Sequence, residues 1–239
     1  MHDFFHLCPN YVLLNDKTEY CEIPSDVKRC SQCLTNTVSA EYKQFSKETS
    51  IEKWRGYWKK ILQEAEEILC FSNSSKEIFA KVYPKLINNV IVIPHDISGR
   101  YKDIYEPRIT KEKRIGILGG INIAKGAYIV QNLVKYIDEN NLNVKIILIG
   151  EISIDINSSS FYKTGRYKRE DLPKIVKKQK ITEFLIPSIW PETFSYTTDE
   201  IMQMGYPLTV FDIGAPAERV KDYKLGKIIK ISEINKLFM

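Results

Sequence analysis

Trp190-Pro-Glu-Thr-Phe-Ser-Tyr-Thr-Thr-Asp-Glu200, followed by the turn Met204-Gly-Tyr-Pro207 and the apolar run Leu208-Thr-Val-Phe-Asp212, sets two carboxylates eight residues apart across a loop-to-helix junction. Ser195 or Thr197 is placed to cap the helix, and Thr197 with Glu200 has capping-box spacing. Glu192 is then expected in the loop and Glu200 in the first helical turn, both near backbone N–H groups that favour anions. Such a site suits a phosphate flanked by hydroxyl-rich groups, because the N–H groups take the phosphate and the carboxylates accept from hydroxyls. Nucleotide sugars carry that combination.

Strand-like and helical patterns alternate on both sides of this stretch. Residues 114–118 read as a strand, Gly119-Gly120 as its turn, 125–140 as a helix and 144–149 as the next strand, closed by Gly150. A loop through Ser158-Ser-Ser160 leads to a helix over 170–178 and a strand over 183–186. After the 208–212 strand, Pro216 opens a helix and 226–231 form a last strand. Strands alternating with helices predict an α/β fold, a doubly wound parallel sheet with helices on both faces. Ligands in such sheets bind at the carboxyl ends of the strands. This domain is expected over residues 108–239.

Residues 1–107 hold part of a second domain. Ile51, Trp54, Trp58, Ile61, Leu62, Ala65 and Ile68 recur at three- and four-residue steps, the pattern of an amphipathic helix. A strand over 68–71, a helix opened by Ser72-Asn-Ser-Ser75 and running to Val82, and a strand over 89–93 stopped by Pro94 come next. The polar stretch 98–113, with Pro107, reads as a linker between domains. Residues 1–9 read as the end of a strand entering a loop.

The 239 residues, 44% hydrophobic and 27% charged, have ordinary globular composition and can build one large core or two small ones. The net charge of +5 is spread along the chain without the concentrated Lys/Arg stripe of a nucleic-acid surface. No apolar run approaches the roughly 18–20 residues that span a bilayer, and the chain does not open on a charged-then-apolar leader, so a cytoplasmic location is expected.

Gly116-Ile-Leu-Gly119-Gly120-Ile-Asn-Ile-Ala-Lys125-Gly126 follows a strand and opens a helix. Glycines there let the backbone approach a phosphate, and the helix N-terminus supplies donors and partial positive charge. Lys125 adds a point charge for a pyrophosphate, or is a solvated residue at a helix start. The spacing is not Gly-x-Gly-x-x-Gly, which argues against a nicotinamide dehydrogenase.

The sequence from Pro191 to Glu200, with Met204-Gly-Tyr-Pro-Leu-Thr-Val-Phe-Asp-Ile-Gly-Ala-Pro-Ala-Glu-Arg-Val220, resembles the donor-binding signature of retaining glycosyltransferases of the GT-B fold, the group with a Glu-x7-Glu motif. The resemblance implies a hexosyltransferase that uses a nucleoside diphosphate sugar and an acceptor hydroxyl, in polysaccharide or glycolipid assembly of the O-antigen or capsule kind. It assigns the transferred sugar to Glu192 and the nucleotide ribose to Glu200, with Gly119, Gly120, Lys125, Phe194, Ser195 and Tyr196 also on the donor. Tyr167, in the Gly165-Arg-Tyr loop, falls beside the base, or in a surface turn. The catalytic set so implied is Glu192, Lys125 and His2, with the departing diphosphate stabilised electrostatically. Asn122 and Ile123 stand where an Arg is common in similar enzymes, so a second cation is missing from that loop. No Asp-x-Asp pair is present and no cofactor is required for catalysis. Glycan or glycolipid acceptors imply a peripheral membrane association, and no nucleic-acid partner is expected. Set against this family, the chain reads as truncated at both ends, and the competing reading is a donor-binding fragment or a subunit that needs a partner chain.

His2 falls where related enzymes carry a histidine facing the donor sugar, though a packed strand-end histidine fits equally. Cys8, Cys21, Cys30 and Cys33 lie in one loop-rich stretch with a Cys-x2-Cys knuckle. A structural zinc, free thiols and disulfides are all open readings. Cys70, in an apolar strand, reads as a small buried hydrophobe.

Overall fold

The structure, a computed structural model, describes residues 1–36, 50–106 and 111–238. These gather in two compact units. One comprises Met1–His95, Trp190–Phe194 and Ile213–Glu218, and the other Asp96–Ile189, Ser195–Asp212 and Arg219–Met239. The boundary expected between residues 107 and 108 falls outside the described residues.

The first unit contains α1 (Val27–Asn36), α2 (Ile51–Gln63), β1 (Ile68–Cys70), α3 (Asn73–Ala80) and β2 (Val90–Val92). The α2 helix starts where Ser50 accepts a hydrogen bond from the Lys53 N–H. Its tryptophans set it on the N-terminal segment: Trp54 Nε1 donates to the Phe5 carbonyl at 2.7 Å, and the Phe5 ring meets Trp54 and Trp58 edge-on. The helix stops at Gln63, five residues earlier than its apolar spacing predicts, and Ile68 instead begins β1. Parallel pairing of Ile68 with Val90 through Cys70 with Val92 turns one face onto Phe4, Leu7, Ile78, Phe79 and Tyr83. Residues 1–9 form turns rather than a strand end. Cys70 is fully buried, as its apolar context predicts.

Ser72 caps α3 by accepting from the Ser75 N–H, and a carboxylate completes that cap. Glu218 accepts from the Asn73 N–H at 2.9 Å and the Ser74 N–H at 2.7 Å, satisfying two orphan donors of the helix. Those bonds hold its carboxyl below the usual carboxylate range against the opposing effect of burial.

Of the readings open for Cys8, Cys21, Cys30 and Cys33, the zinc site finds no support. Among the described residues no three Cys, His, Asp or Glu side chains are disposed to hold a metal ion, and these four cysteines are not joined in disulfides. Burial pushes the Cys8 thiol up to about 12 and raises that of Cys21. All four line one cavity of about 600 Å³.

The second unit is built on β3 (Lys113–Ile121), β4 (Val144–Ile152), β5 (Phe161–Lys163), β6 (Glu183–Ile186), β7 (Leu208–Phe211) and β8 (Gly226–Ile229), all parallel, in the order β5-β4-β3-β6-β7-β8. Counted within the unit this is 3-2-1-4-5-6, the doubly wound order whose switch point lies between β3 and β6. Helices α4 (Ala127–Glu139), α5 (Leu172–Lys178) and α6 (Tyr196–Gln203) belong to this unit, whereas α7 (Gly214–Val220) falls in the first unit through Glu218. The core joins Ile115, Ile117, Ile146 and Leu148 of the sheet to Val130, Leu133, Val134 and Ile137 of α4.

Strand β3 pairs with β4 along its whole length but with β6 only at Ile115 and Gly116. A Cβ at Gly116 would come within 2.5 Å of the Phe184 ring, so glycine allows that close approach. Beyond it the two strands part, leaving the switch-point crevice open.

Two segments differ from expectation. β5 is a three-residue edge strand in what reads as a loop, since Phe-Tyr-Lys carries no alternating apolar signal. The described part of the linker, up to residue 106, is a strap on α6. Gln203 accepts from the Tyr101 N–H and donates to the Ile97 carbonyl, and the Ile104 N–H donates to the Met204 carbonyl. Residues 107–110 of that linker lie outside the described residues.

Candidate functional site

The carboxyl ends of β3 and β4, the loop after β5 and the first turns of α6 enclose a cavity of about 570 Å³. Gly119, Gly120, Gly150 and Glu151 form the strand side; Arg166, Tyr167 and Arg169 come from the loop; Tyr196, Thr197 and Glu200 come from α6. Bare backbone on the strand side follows from sterics. Gly150 sits opposite Gly119 in the ladder, where a Cβ would lie 2.0 Å from the Gly119 oxygen and φ is +140°. A Cβ on Gly120 would meet nothing within 4 Å, so that position faces open space.

Glu200 is 4% exposed, and its charge is met by two arginines. Arg100 Nη1, from the strap, lies 3.6 Å from Glu200 Oε1, and Arg169 Nε, from the loop, lies 3.4 Å from the same oxygen. Burial raises the Glu200 carboxyl above its ordinary range, and Arg169 and Arg100 pull it back toward the charged form. The strap holds the loop as well: Tyr101 donates its hydroxyl proton to the Arg169 carbonyl at 2.9 Å. Burial raises the Tyr167 phenol, with the nearby Glu200 charge adding to the effect, so Tyr167 presents a neutral hydroxyl and a ring. Arg100 lies over the Tyr196 ring at 5.9 Å from its centroid.

The capping box expected of Thr197 and Glu200 is absent. Ser195 occupies the cap position, but its hydroxyl bonds to the Thr198 hydroxyl at 2.9 Å and makes no bond to a helix N–H. Glu200 lies beyond the first turn and turns to the arginines, while Asp199 is the acidic residue of that turn and binds Arg219 with both carboxylate oxygens. The helix is thus fixed by an ion pair and hydroxyl contacts in place of a side-chain cap.

Of the residues singled out from sequence, the cavity collects Gly119, Gly120, Tyr167, Tyr196 and Glu200. Ser195 is buried one residue before α6 and does not line it. Lys125 is half-buried at the start of α4, its N–H held by Asn122 Oδ1 at 2.9 Å, and does not line it either. Glu192, Phe194 and His2 belong to the first unit. There Glu192 is 5% exposed, its carbonyl accepting from the Ala215 N–H, in a turn that only glycine allows at position 214, where a Cβ would lie 2.6 Å from Pro191. Thr193 donates its hydroxyl to the His2 carbonyl, and the rings run His2, Phe71, His95, Phe194 in sequential contact. Sequence reasoning did not single out Arg100, Arg166, Arg169, Gly150 or Glu151. Only the loop position of Arg166 beside Tyr167 gave any signal.

Neither a protein-family model nor a curated protein sequence matches the chain. Solved structures do. The chain is similar to sucrose-phosphate synthase from Thermosynechococcus elongatus with a TM-score of 0.62 at 17% identity, covering 85% of this chain and 54% of that one. TarM gives 0.60 at 15% identity over 81% and 39%, and Anabaena HepE in complex with UDP-glucose gives 0.58 at 15% identity over 82% and 58%. The chain therefore spans between 39% and 58% of the length of these three proteins. Identities this low establish the fold alone: a Rossmann-like α/β fold of the GT-B type, as the signature stretch implies.

Proposed function

We propose that the chain binds a nucleoside diphosphate sugar in the glycine- and arginine-lined cavity and serves a retaining hexosyl transfer to an acceptor hydroxyl. The observation that carries this reading is Glu200: a buried carboxyl group met by two arginines, facing bare glycine backbone at the switch point of a 3-2-1-4-5-6 sheet. Among neutral metabolites and anions, a molecule with both a vicinal diol and a phosphate uses all of these groups. The ribose hydroxyls donate to Glu200, the diphosphate meets the Gly119-Gly120 backbone and the α6 N-terminus, and Tyr167 stacks on the base.

In this reading Lys125 adds charge for the diphosphate by a side-chain movement toward the cavity, and Phe194, Ser195 and Tyr196 shape the donor's surroundings. Glu192 and His2 act on the hexose. Transfer then rests on positioning and on stabilising the departing diphosphate, which takes the acceptor proton. HepE's complex with UDP-glucose makes uridine nucleotides the first to try. A glycan or glycolipid acceptor at a membrane surface fits the family resemblance; among the described residues no helix is long and apolar enough to cross a membrane. Because the chain spans about half of its structural neighbours, donor binding is to be tested before transfer.

Calorimetric titration with UDP, GDP and dTDP is the test. Saturable binding of one nucleotide, weakened about tenfold or more by Glu200→Ala, is the expected result. Failure of the folded chain to bind any of them would overturn the reading.

A further inference from the structure

The loop that opens α4 supplies one cation, Lys125, and the positions beside it are Asn122, whose side chain is spent on the Lys125 N–H, and the apolar Ile123. A diphosphate needs more positive charge than that. The cations that line the cavity are Arg166 and Arg169, both from the loop after β5.

We infer that Arg169 is the second diphosphate ligand and that donor binding exchanges its partner: the ribose takes the Glu200 carboxylate and the phosphate takes the guanidinium. This inference rests on the nucleotide-sugar reading of the cavity. Its geometry separates the two arginines on Glu200. Arg169 has a fixed base and an accessible head, since its carbonyl is anchored by the Tyr101 hydroxyl while its side chain is 60% exposed. Its Nε lies 3.4 Å from Glu200 Oε1 and Arg100 Nη1 lies 3.6 Å from the same oxygen, so exposure, not distance, tells the two arginines apart. A phosphate offers the guanidinium a two-pronged partner that an exposed head can turn to meet.

Arg100 is built differently. Its side chain is 29% exposed, lies over the Tyr196 ring and does not line the cavity. It stays with Glu200 and keeps the carboxylate charged after Arg169 leaves, so that ribose hydroxyls meet an acceptor. Arg100 is therefore a positioning residue and Arg169 a ligand.

The test compares nucleotides that differ only in phosphate. With the whole chain, the tightest diphosphate among UDP, GDP, ADP and dTDP is titrated beside its monophosphate, in wild type, Arg169→Ala, Arg169→Lys and Arg100→Ala. Arg169→Ala is expected to weaken the diphosphate about tenfold while changing the monophosphate much less, and Arg169→Lys to recover part of the loss. Arg100→Ala is expected to weaken both equally and to make binding fall off on acidification at a higher pH than in wild type, because Glu200 without Arg100 protonates more readily. Equal weakening of mono- and diphosphate by Arg169→Ala, or no weakening of either, would overturn the inference while leaving the site reading intact. Absence of all nucleotide binding in wild type would overturn both.

Discussion

Two cavities of nearly equal volume, about 600 Å³ in the first unit and about 570 Å³ in the second, differ in what converges on them. The first is walled by α1, by Arg55 of α2 and by loop residues between 8 and 24, with positive φ at Leu13, Glu22 and Ile23, and it mixes apolar side chains with charges of both signs. The second is walled by the ends of two strands, a loop and a helix start, with glycine backbone opposite a charged, buried carboxylate. Volume does not distinguish a binding site here. Convergence of separate elements at a sheet switch point does, because only there do backbone donors, a helix end and side chains from several elements meet.

The comparison breaks first at its glycines. Gly150→Ala, with its Cβ 2.0 Å from a backbone oxygen at φ +140°, is expected to cost about 3 kcal/mol or more in urea unfolding followed by far-UV circular dichroism, and to abolish nucleotide binding. Arg219→Ala strands the buried Asp199 and is expected to cost about 3 kcal/mol in the same measurement.

The pH response sharpens the contrast. In the first unit burial, and then the amino-terminal charge, lower the His6 imidazole to about 4, and among the described residues its Nε2 has no hydrogen-bond partner. Its folded pKa lies below the unfolded 6.5, so the unfolded state binds the proton more readily and stability falls as pH drops from 6.5 toward 4. From about pH 7 to about pH 5 the loss is about 2 kcal/mol, and His6→Leu is expected to remove that part of the slope in unfolding measured at both pH values. In the second unit burial raises Asp199 and Glu200, so their contribution has the opposite sign and declines as pH rises above the unfolded carboxylate values. The smallest effect is expected at the thiols: Cys21→Ser with Cys33→Ser should leave nucleotide affinity within about twofold by calorimetry.

The sheet was legible in sequence because its strands are apolar runs closed by glycine or proline. β6 matches its predicted span, and β3, β4, β7 and β8 differ by a few residues at their ends. The short edge strand β5, helix α1 with no buried residue, and the 3-10 segment over Ile231–Phe238 had no such periodicity to show. At the site, glycines and Glu200 were visible because backbone approach and helix position constrain residue type. Arg100 and Arg169 were not, since they reach Glu200 from residues 100 and 31 positions before it, a proximity that only the strap and the loop create. The cysteine spacing left zinc, free thiols and disulfides open, and among the described residues the folded side chains assemble no metal site.

Hydrogen exchange of the whole chain, with and without the nucleotide that binds, tests most directly whether the donor site is the glycine- and arginine-lined cavity. Slowed exchange is expected in peptides covering 119–121, 165–169 and 196–200, with 13–36 unchanged. Protection centred on 13–36, with none at 119–121 or 196–200, would contradict it and move the site to the cysteine-lined cavity.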